Sequence, residues 1–342
     1  METARTKNEG GKRVDEKLKE RFREILSDCY GVDIKEAKMF FSTQNYAFIF
    51  PDKPYMLRVS ITSMKTRQEI MSELMWVDDL KQFKQTVCEP HVSLKGHILE
   101  EFEIDGQNYR ASMFRTARGN VKATPDMEPM FFICVGDLLG GIHHISTDER
   151  KLGIYYRRKN MKDIFEEQKQ KVWEYFGDEE KKKIEEIQNK VDELSEELGV
   201  YGICHGDFHI NNFFVESNNI WLFDFDGCAY ANYLYDVASF VQSCFLQGYG
   251  IGKDCRKVLE EELLPYFKLG YELNHKGDEH YWDNLELFIS YRTAFTLLKL
   301  AEIDVCGVIN NLDRVKKFFH YIIMQDSPLD GMTQAMQLMK GE

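Results

Sequence analysis

A short polar segment of this sequence carries the residue types that phosphoryl transfer to a hydroxyl requires. It reads His205-Gly206-Asp207-Phe208-His209-Ile210-Asn211-Asn212, and its carboxylate precedes its last carboxamide by five residues. In loops with this spacing the carboxylate, here Asp207, accepts the proton of the substrate hydroxyl, and the carboxamide, here Asn212, holds Mg²⁺. The pattern alone is moderately specific, so the residues around it decide its interpretation.

A second group of carboxylates follows in the segment Leu222-Phe223-Asp224-Phe225-Asp226. Two short apolar runs joined by an Asn-Asn turn precede it, which predicts a β-hairpin. A carboxylate at the exposed end of such a hairpin is well placed to bind the metal ion that Asn212 holds. Asp224 is therefore the second predicted metal ligand, whereas Asp226 is either a further metal contact or a turn cap.

The segment Cys204–Asp226, with Tyr235-Asp236-Val237-Ala238 after it, resembles the aminoglycoside phosphotransferase and choline kinase-like family. The resemblance implies an α+β, bilobal protein kinase-like fold, with ATP as co-substrate and Mg²⁺ as cofactor. It also implies that Asp207 is the catalytic base and that Asn212 and Asp224 are the metal ligands. Its specific part ends at Ala238.

Three further polar residues are predicted to support this site. His205 is expected to hydrogen-bond within its own loop. Asp236, at the start of a predicted helix, is expected to accept amides of the catalytic loop, although N-cap chemistry also explains an aspartate there. His209 remains open between a scaffold of the loop and a neighbour of the phosphates.

Upstream, Tyr55-Met56-Leu57-Arg58-Val59 resembles the third strand of the family, whose basic residue reaches the α- and β-phosphates of ATP. Arg58 stands where protein kinases have lysine, and a guanidinium can still grip phosphate oxygens through two hydrogen bonds. Glu73, on the next predicted helix, is the expected partner that orients Arg58.

The remaining nucleotide contacts are predicted from the same resemblance. Ser42-Thr43-Gln44-Asn45 stands where protein kinases have a glycine-rich loop, so Ser42 and Asn45 are expected to help cover the phosphates. The run from Tyr109 to Arg115 and on to Gly119 fits an interlobe hinge. Phe114 and Thr116 are therefore expected to meet the adenine.

The pattern of apolar residues supplies the elements that position these side chains. Alternation and turn residues predict a five-stranded antiparallel N-terminal sheet: Lys38–Ser42, Tyr46–Phe50, Tyr55–Ser60, His97–Ile104 and Tyr109–Arg115. Helical spacing predicts Lys17–Cys29 and, inserted after the third strand, about Lys65–Gln85. After Gly119 the pattern is mostly helical: Met127–Ile145, one or two helices in Lys162–Leu198, and Leu234 to about Met324. We therefore expect a flexible tail (1–14), a nucleotide-binding lobe (15–118) and a catalytic and acceptor-binding lobe (119–342).

The net charge of the chain limits the classes of binding partner. The chain has 44 Lys and Arg against 57 Asp and Glu, a net charge of −13. Residues 1–120 hold 20 basic and 19 acidic side chains, whereas residues 121–342 hold 24 and 38. Such acidity argues against nucleic acid and anionic membranes as partners. An excess of acid in the predicted acceptor lobe favours a cationic or amine-bearing acceptor.

Other features argue against alternative sites and compartments. Eight dispersed cysteines without a Cys-x-x-Cys pair, in a chain that shows no secretory leader, indicate reduced thiols and a cytoplasmic protein. The apolar stretch Met130–Ile142 is too short to span a bilayer. Adjacent His143-His144 suggests packing, because no third metal ligand lies at a suitable spacing. Gly248–Lys253 lacks the first glycine and the final Ser or Thr of a phosphate loop.

The sequence thus predicts an ATP- and Mg²⁺-dependent phosphotransferase that acts on a hydroxyl of a small, amine-bearing molecule such as an aminoglycoside, choline or homoserine. A Ser/Thr protein kinase is the first alternative, disfavoured because no Ala-Pro-Glu segment follows Asp226. A catalytically silent pseudokinase that binds partners through the charged helices of Lys162–Leu198 is the second. The acceptor, the choice of ATP or GTP, and the state as monomer or homodimer stay open.

Overall fold

A computed structural model describes residues 16–41, 45–63, 65–116, 119, 127–147, 158–194, 200–277, 280–305 and 312–340. The chain divides into two compact units. Unit 1 comprises Met1–Lys81 and Val87–Ala117, and unit 2 comprises Gln82–Thr86 and Arg118–Glu342.

Unit 1 is built on one antiparallel sheet. Its strands are β1 (Lys38–Phe41), β2 (Asn45–Ile49), β3 (Tyr55–Ile61), β4 (Pro90–His91), β5 (Glu100–Ile104) and β6 (Gln107–Arg115). The strands β1, β2, β3 and β6 are neighbours in that order, and β4 and β5 pair with successive stretches of β6. All five predicted strands are present.

The predicted count of five strands was one too low. The additional strand, β4, has only two residues, Pro90 and His91, which pair with Phe114 and Met113. A run of two residues has no alternation to detect, and a proline, which lacks an N–H, argues against a strand in any sequence pattern.

Two helices complete unit 1, α1 (Glu16–Tyr30) and α2 (Arg67–Gln82). Their bounds lie close to those predicted from helical spacing. On α1 the buried Phe22 meets Phe48 and Tyr109 of the sheet edge to face, with ring centroids 6.0 and 5.1 Å apart. Helix α2, inserted after the third strand, buries Ile70, Leu74, Trp76, Val77 and Leu80.

Unit 2 is mostly helical, and its described residues also form two small two-stranded antiparallel sheets. Its helices are α3 (Pro129–Ser146), α4 (Met161–Val172), α5 (Asp178–Asp192), α6 (Leu234–Leu246), α7 (Cys255–Lys257), α8 (Leu264–Tyr271), α9 (Leu285–Val305), α10 (Leu312–Ile323) and α11 (Pro328–Lys340). A π-helical stretch, Val258–Leu263, joins α7 to α8. The strands β7 (Tyr201–Cys204) and β10 (Ala229–Asn232) form one antiparallel pair, and β8 (Phe213–Glu216) and β9 (Asn219–Leu222) form the predicted hairpin.

Helices α3 and α8 touch at the level of the backbone. A Cβ atom at Gly136 would overlap the carbonyl oxygen of Phe267, and one at Gly270 would overlap the carbonyl oxygen of Ile133. Glycine is therefore required on both sides of this contact. The close approach leaves the backbones of α3 and α8 in direct van der Waals contact, with no side chain between them at these positions.

Helix α3 lies close to the predicted bounds Met127–Ile145 and extends beyond the apolar stretch Met130–Ile142 at both ends. By length and composition its 18 residues meet the requirement for a membrane-spanning helix, the single one among the described residues to do so. Within unit 2, however, 67% of these residues are buried. Such burial is typical of the core helix of a folded domain, which passes the same composition test.

Candidate functional site

The predicted catalytic loop follows β7 and is anchored by the buried ring of His205. Its Nδ1 accepts the backbone N–H of Asp207 at 3.3 Å, so Nε2 carries the proton and donates it to the carbonyl oxygen of Phe223 at 3.1 Å. Burial lowers the pKa of His205, against the opposing charges of Asp236 and Asp207. A neutral His205 thus links the catalytic loop to the segment that carries Asp224.

Asp236, at the start of α6, holds the same loop through its backbone amides. Its carboxylate accepts the backbone N–H groups of His205 at 2.6 Å and Gly206 at 2.9 Å. His143 of α3 lies against the same carboxylate, with Nε2 at 3.3 Å, and its Nδ1 is 2.7 Å from the hydroxyl of Tyr271 on α8. A fully buried carboxylate is satisfied here by fixed donors, which makes the loop backbone rigid.

Asn212 closes the loop. Its Nδ2 donates to the backbone carbonyl oxygen of Asp207 at 2.9 Å, and the backbone carbonyl oxygen of Asn212 accepts the backbone N–H of Phe223 at 2.9 Å. The amide nitrogen is thereby committed to the loop, and Oδ1 is the atom of this side chain that can serve a cation. The loop and the hairpin end are joined through the main chain as well as through His205.

Asp224 adopts a left-handed backbone conformation, with φ 66° and ψ 57°. Residues other than glycine rarely adopt this region, although Asp and Asn do so most readily, and such residues cluster at functional sites. The carboxylate of Asp224 and Oδ1 of Asn212 are the hard oxygen donors that Mg²⁺ prefers. The residues present therefore fit a divalent cation. The Asp226 backbone carbonyl accepts Nη2 of Arg158 at 2.8 Å.

Asp207 is paired with an arginine that the sequence analysis missed. Arg292 of α9 donates from Nη2 to Oδ1 of Asp207, and from Nη1 to the hydroxyl of Tyr235 at 2.9 Å and the carbonyl of Gly206 at 3.3 Å. Its guanidinium also lies over the ring of Tyr235, 5.6 Å from the centroid. An isolated Arg within the apolar α9 pattern was the only signal of this role.

His209 contacts the other oxygen of Asp207, with Nε2 3.2 Å from Oδ2. Burial alone would raise the pKa of the Asp207 carboxyl, but the charge of Arg292 and the hydrogen bond from His209 outweigh it and hold that pKa well below its usual value. The candidate base is thus ionised at neutral pH, and 40% of its side chain is exposed.

In unit 1 the structure brings together Arg58, Glu73 and Phe114. The Arg58 guanidinium donates from Nη1 and Nη2 to the two carboxylate oxygens of Glu73, both at 2.8 Å. The two side chains are 8% and 2% exposed. The guanidinium lies over the Phe114 ring at 4.9 Å from its centroid. This is a buried bidentate pair with an aromatic face as its third wall.

Hydrogen bonds and strand pairing within unit 1 also engage the predicted nucleotide contacts Asn45, Phe114 and Thr116. Oδ1 of Asn45 accepts the hydroxyl of Ser60 at 2.6 Å. The Thr116 backbone N–H donates to the Pro54 carbonyl at 2.9 Å, and Phe114 is paired on both sides, with Met56 and Pro90. Ser42 lies outside the described residues.

His143 was predicted to be a packing residue because no third metal ligand lies at a suitable spacing in the sequence, but the structure brings two potential ligands close to it. One ligand atom each of His143, Cys204 and Asp236 lies within 4.8 Å of the others, because the fold joins residues 93 positions apart. All three are buried, and His143 and Asp236 already have hydrogen-bond partners in Tyr271 and the loop amides. The arrangement supports the catalytic loop.

A small cavity of unit 2 lies next to this machinery. Tyr235 forms part of its wall, and the hydroxyl of Tyr235 is the acceptor for Arg292. The other aromatic residues that line it are Tyr201, Tyr230, Phe288 and Tyr291. Lys162 and Asn232 provide its polar side.

Comparison with solved structures shows the fold. An amicoumacin kinase, hAmiN, in complex with AMP-PNP, Ca²⁺ and Ami, superposes with a TM-score of 0.79 over 92% of this chain and 97% of that one, at 20% identity. A microcompartment-associated aminopropanol kinase gives 0.62 at 17% identity, with coverage of 96% and 98%. A spectinomycin phosphotransferase with ADP and spectinomycin gives 0.52 at 16% identity, with coverage of 93% and 98%. These neighbours share the protein kinase-like fold.

Sequence comparison points the same way. The amicoumacin kinase of Bacillus subtilis (strain 168) is 22% identical over 269 residues, which are 75% of this chain and 79% of the relative. The model of the phosphotransferase enzyme family, APH, matches residues 33–266, which span the strands of unit 1, the catalytic loop and Asp224. The predicted resemblance is thereby confirmed: with more than two thirds of its length matched, the chain belongs to the phosphotransferase enzyme family.

Proposed function

We propose that this protein transfers the γ-phosphoryl group of ATP, with Mg²⁺, to a hydroxyl of a small amine-bearing molecule. The observation that carries the proposal is the partly exposed Asp207, paired with Arg292, on a loop in which the Asp207 carbonyl fixes Asn212. A carboxylate in this position accepts the proton of an attacking hydroxyl, and positioning supplies most of the catalysis.

Each side chain then has one role. Asp207 orients the acceptor hydroxyl and takes its proton as the new P–O bond forms. Asn212 and Asp224 would hold Mg²⁺, which when bound neutralises charge on the phosphates. Asp236 and His205 keep the loop backbone in place, and Asp226 belongs to the same support.

Unit 1 would contribute the nucleotide contacts. Arg58, oriented by Glu73, would bind the α- and β-phosphates, and Ser42 and Asn45 would lie near them. The segment from Phe114 to Thr116 would lie beside the adenine. In these roles unit 1 is the nucleotide-binding lobe and unit 2 is the catalytic and acceptor-binding lobe.

The relatives support the choice of substrates. AMP-PNP and ADP are the nucleotides bound in two of the similar structures, and one of them also holds Ca²⁺. Aminopropanol, by its name, combines an amine with a hydroxyl. The acidic excess after residue 120 and the aromatic walls of the unit 2 cavity both favour an organic cation.

The decisive experiment measures ADP release from Mg-ATP with a panel of amino alcohols, aminoglycosides, homoserine, methylthioribose and a protein substrate. We expect release that depends on an amine-bearing small molecule and a phosphate ester detectable by mass spectrometry. Phosphorylation of the protein substrate alone would establish the protein kinase alternative. Tight Mg-ATP binding without transfer to any acceptor or to water would establish the pseudokinase. GTP is compared in parallel.

A further inference from the structure

Both oxygens of the Asp207 carboxylate are engaged by side chains. Oδ1 accepts from Arg292, and Oδ2 lies 3.2 Å from Nε2 of His209. A general base must direct a lone pair to the proton that it takes, at hydrogen-bond distance. Each carboxylate oxygen has two lone pairs, and a hydroxyl that approaches along the direction of one of these donors has to replace it.

The contact with Arg292 is built to persist. The arginine side chain is only 12% exposed, and its guanidinium serves three acceptors besides facing the Tyr235 ring. Helix α9 is also bonded to α6 next to Arg292, because the Thr293 hydroxyl accepts a hydrogen bond from Nε2 of Gln242 at 2.7 Å. Removal of Arg292 from Oδ1 would leave a buried cation with fewer partners, which is costly.

The contact with His209 is weaker. Nδ1 of His209 accepts the backbone N–H of Asn211 at 3.2 Å, so Nε2 carries the proton and the ring donates to Asp207 as a neutral group. A neutral donor at 3.2 Å contributes less to an ionised carboxylate than a guanidinium that carries the opposite charge. The imidazole is also 25% exposed, about twice the exposure of Arg292, so solvent and ligands reach it.

We propose, on the basis of the function proposed above, that Arg292 is a permanent clamp on Oδ1 and that His209 is a displaceable cap on Oδ2. The acceptor hydroxyl replaces His209 and donates to Oδ2. Its oxygen then bonds to the γ-phosphorus, its proton passes to Oδ2, and the bond from the γ-phosphorus to the bridging oxygen breaks, leaving the electron pair on ADP. While no acceptor is bound, His209 occupies the place on Oδ2 that a nucleophilic water molecule would take, so ATP hydrolysis is suppressed.

The cap is tested with His209→Asn. Asparagine is a good N-cap residue, so it can still accept the Asn211 N–H, but it is too short to reach Oδ2. Hydrolysis of Mg-ATP without acceptor should rise about two- to tenfold, the range expected for loss of one hydrogen bond. The KM for the acceptor should not increase. Hydrolysis at or below the wild-type rate would overturn the role of His209.

The clamp is tested with Arg292→Gln and Arg292→Lys. The glutamine variant should lose about ten- to a hundredfold in kcat with the KM for ATP unchanged, because the base is misplaced while the nucleotide contacts remain. Lysine should restore part of this loss, since it keeps the charge without the planar fork. Addition of millimolar guanidinium should partly restore turnover to Arg292→Ala, which a purely structural defect would not allow.

Arg256→Gln is the matched control. Like Arg292, Arg256 donates to a carboxylate, that of Glu286 on α9. Its further partner is the hydroxyl of Ser327, and none of these contacts involves the catalytic loop. The Arg256→Gln substitution should lower the Tm and leave kcat per folded molecule unchanged. Equal kcat in Arg292→Gln and Arg256→Gln would overturn the clamp. A wild-type protein without transfer to any acceptor would instead contradict the proposed function itself.

Discussion

The pair Arg58–Glu73 in unit 1 and the pair Arg292–Asp207 in unit 2 differ in how many carboxylate oxygens the arginine contacts. Arg58 takes both oxygens of Glu73, and both side chains are almost completely buried. Arg292 takes one oxygen of Asp207, whose side chain remains 40% exposed. The same two residue types thus form a buried pair in one case and an oriented, partly exposed carboxylate in the other.

The difference is one of desolvation. A buried bidentate pair roughly balances its Coulomb energy against the cost of removing both charges from water, so it sets geometry more than it adds stability. Asp207 keeps contact with solvent and pays less of that cost. Arg292 on one oxygen and the weaker contact of His209 on the other hold it ionised, and displacement of His209 opens the second oxygen to a substrate hydroxyl.

The largest effect is expected from a substitution that breaks the Arg292–Asp207 pair. Asp207→Ala should lower kcat about a thousandfold, within the range for loss of a general base, and leave Mg-ATP affinity close to wild type. Asp224→Ala should instead weaken Mg-ATP binding itself. Steady-state kinetics and calorimetric titration separate the two, and substantial turnover in Asp207→Ala would refute its assigned role.

Breaking the Arg58–Glu73 pair should affect stability. Glu73→Gln leaves the Arg58 charge buried with a neutral partner and should lower the free energy of unfolding by about 3 to 5 kcal/mol in urea titrations. The matched control is Glu101→Gln, which loses exposed pairs with Arg67 and Arg110 in the same unit and should cost less than about 1 kcal/mol. Similar losses in the two variants would show that burial is not the deciding factor.

Acid should destabilise unit 2 before unit 1. Burial lowers the pKa of His143 and His205, partly opposed by Asp236, so the unfolded chain binds protons first as the pH falls. Their contribution is complete above about pH 6.5 and declines below it by at most about 1.4 kcal/mol per histidine and pH unit. Hydrogen exchange at pH 7 and 5.5, corrected for intrinsic rates, should show this loss in α3 and β7. The sheet of unit 1, whose described histidines are partly exposed, should show less, and an equal loss in both units would contradict the assignment.

The smallest effect concerns charge at longer range. Rising salt should reduce kcat/KM a few-fold for an amine-bearing acceptor and less for its neutral analogue. The effect is modest because Arg292 compensates Asp207 and because a bound cation would offset Asp224. Identical salt dependence for the two acceptors would argue against a cationic acceptor.

What the sequence predicted well is local. Asp207 and Asn212 lie five residues apart in one loop, so their spacing alone fixes their proximity, and period-two alternation identified β3 with Arg58 on it. Arg292 lies 85 positions from Asp207, and nothing in the spacing of α9 indicates which helix face meets the loop. The same holds for His143 and Asp236, 93 positions apart, whose contact depends on how α3 packs.

The backbone contact between α3 and α8 extends the influence of the catalytic loop far beyond its own residues. His143 on α3 and Tyr271 on α8 form one hydrogen-bonded chain that ends on Asp236. A single methyl group at Gly136 or Gly270 would force these helices apart and lengthen that chain. Two positions outside the catalytic loop are therefore intolerant of substitution because the packing that supports the loop depends on them.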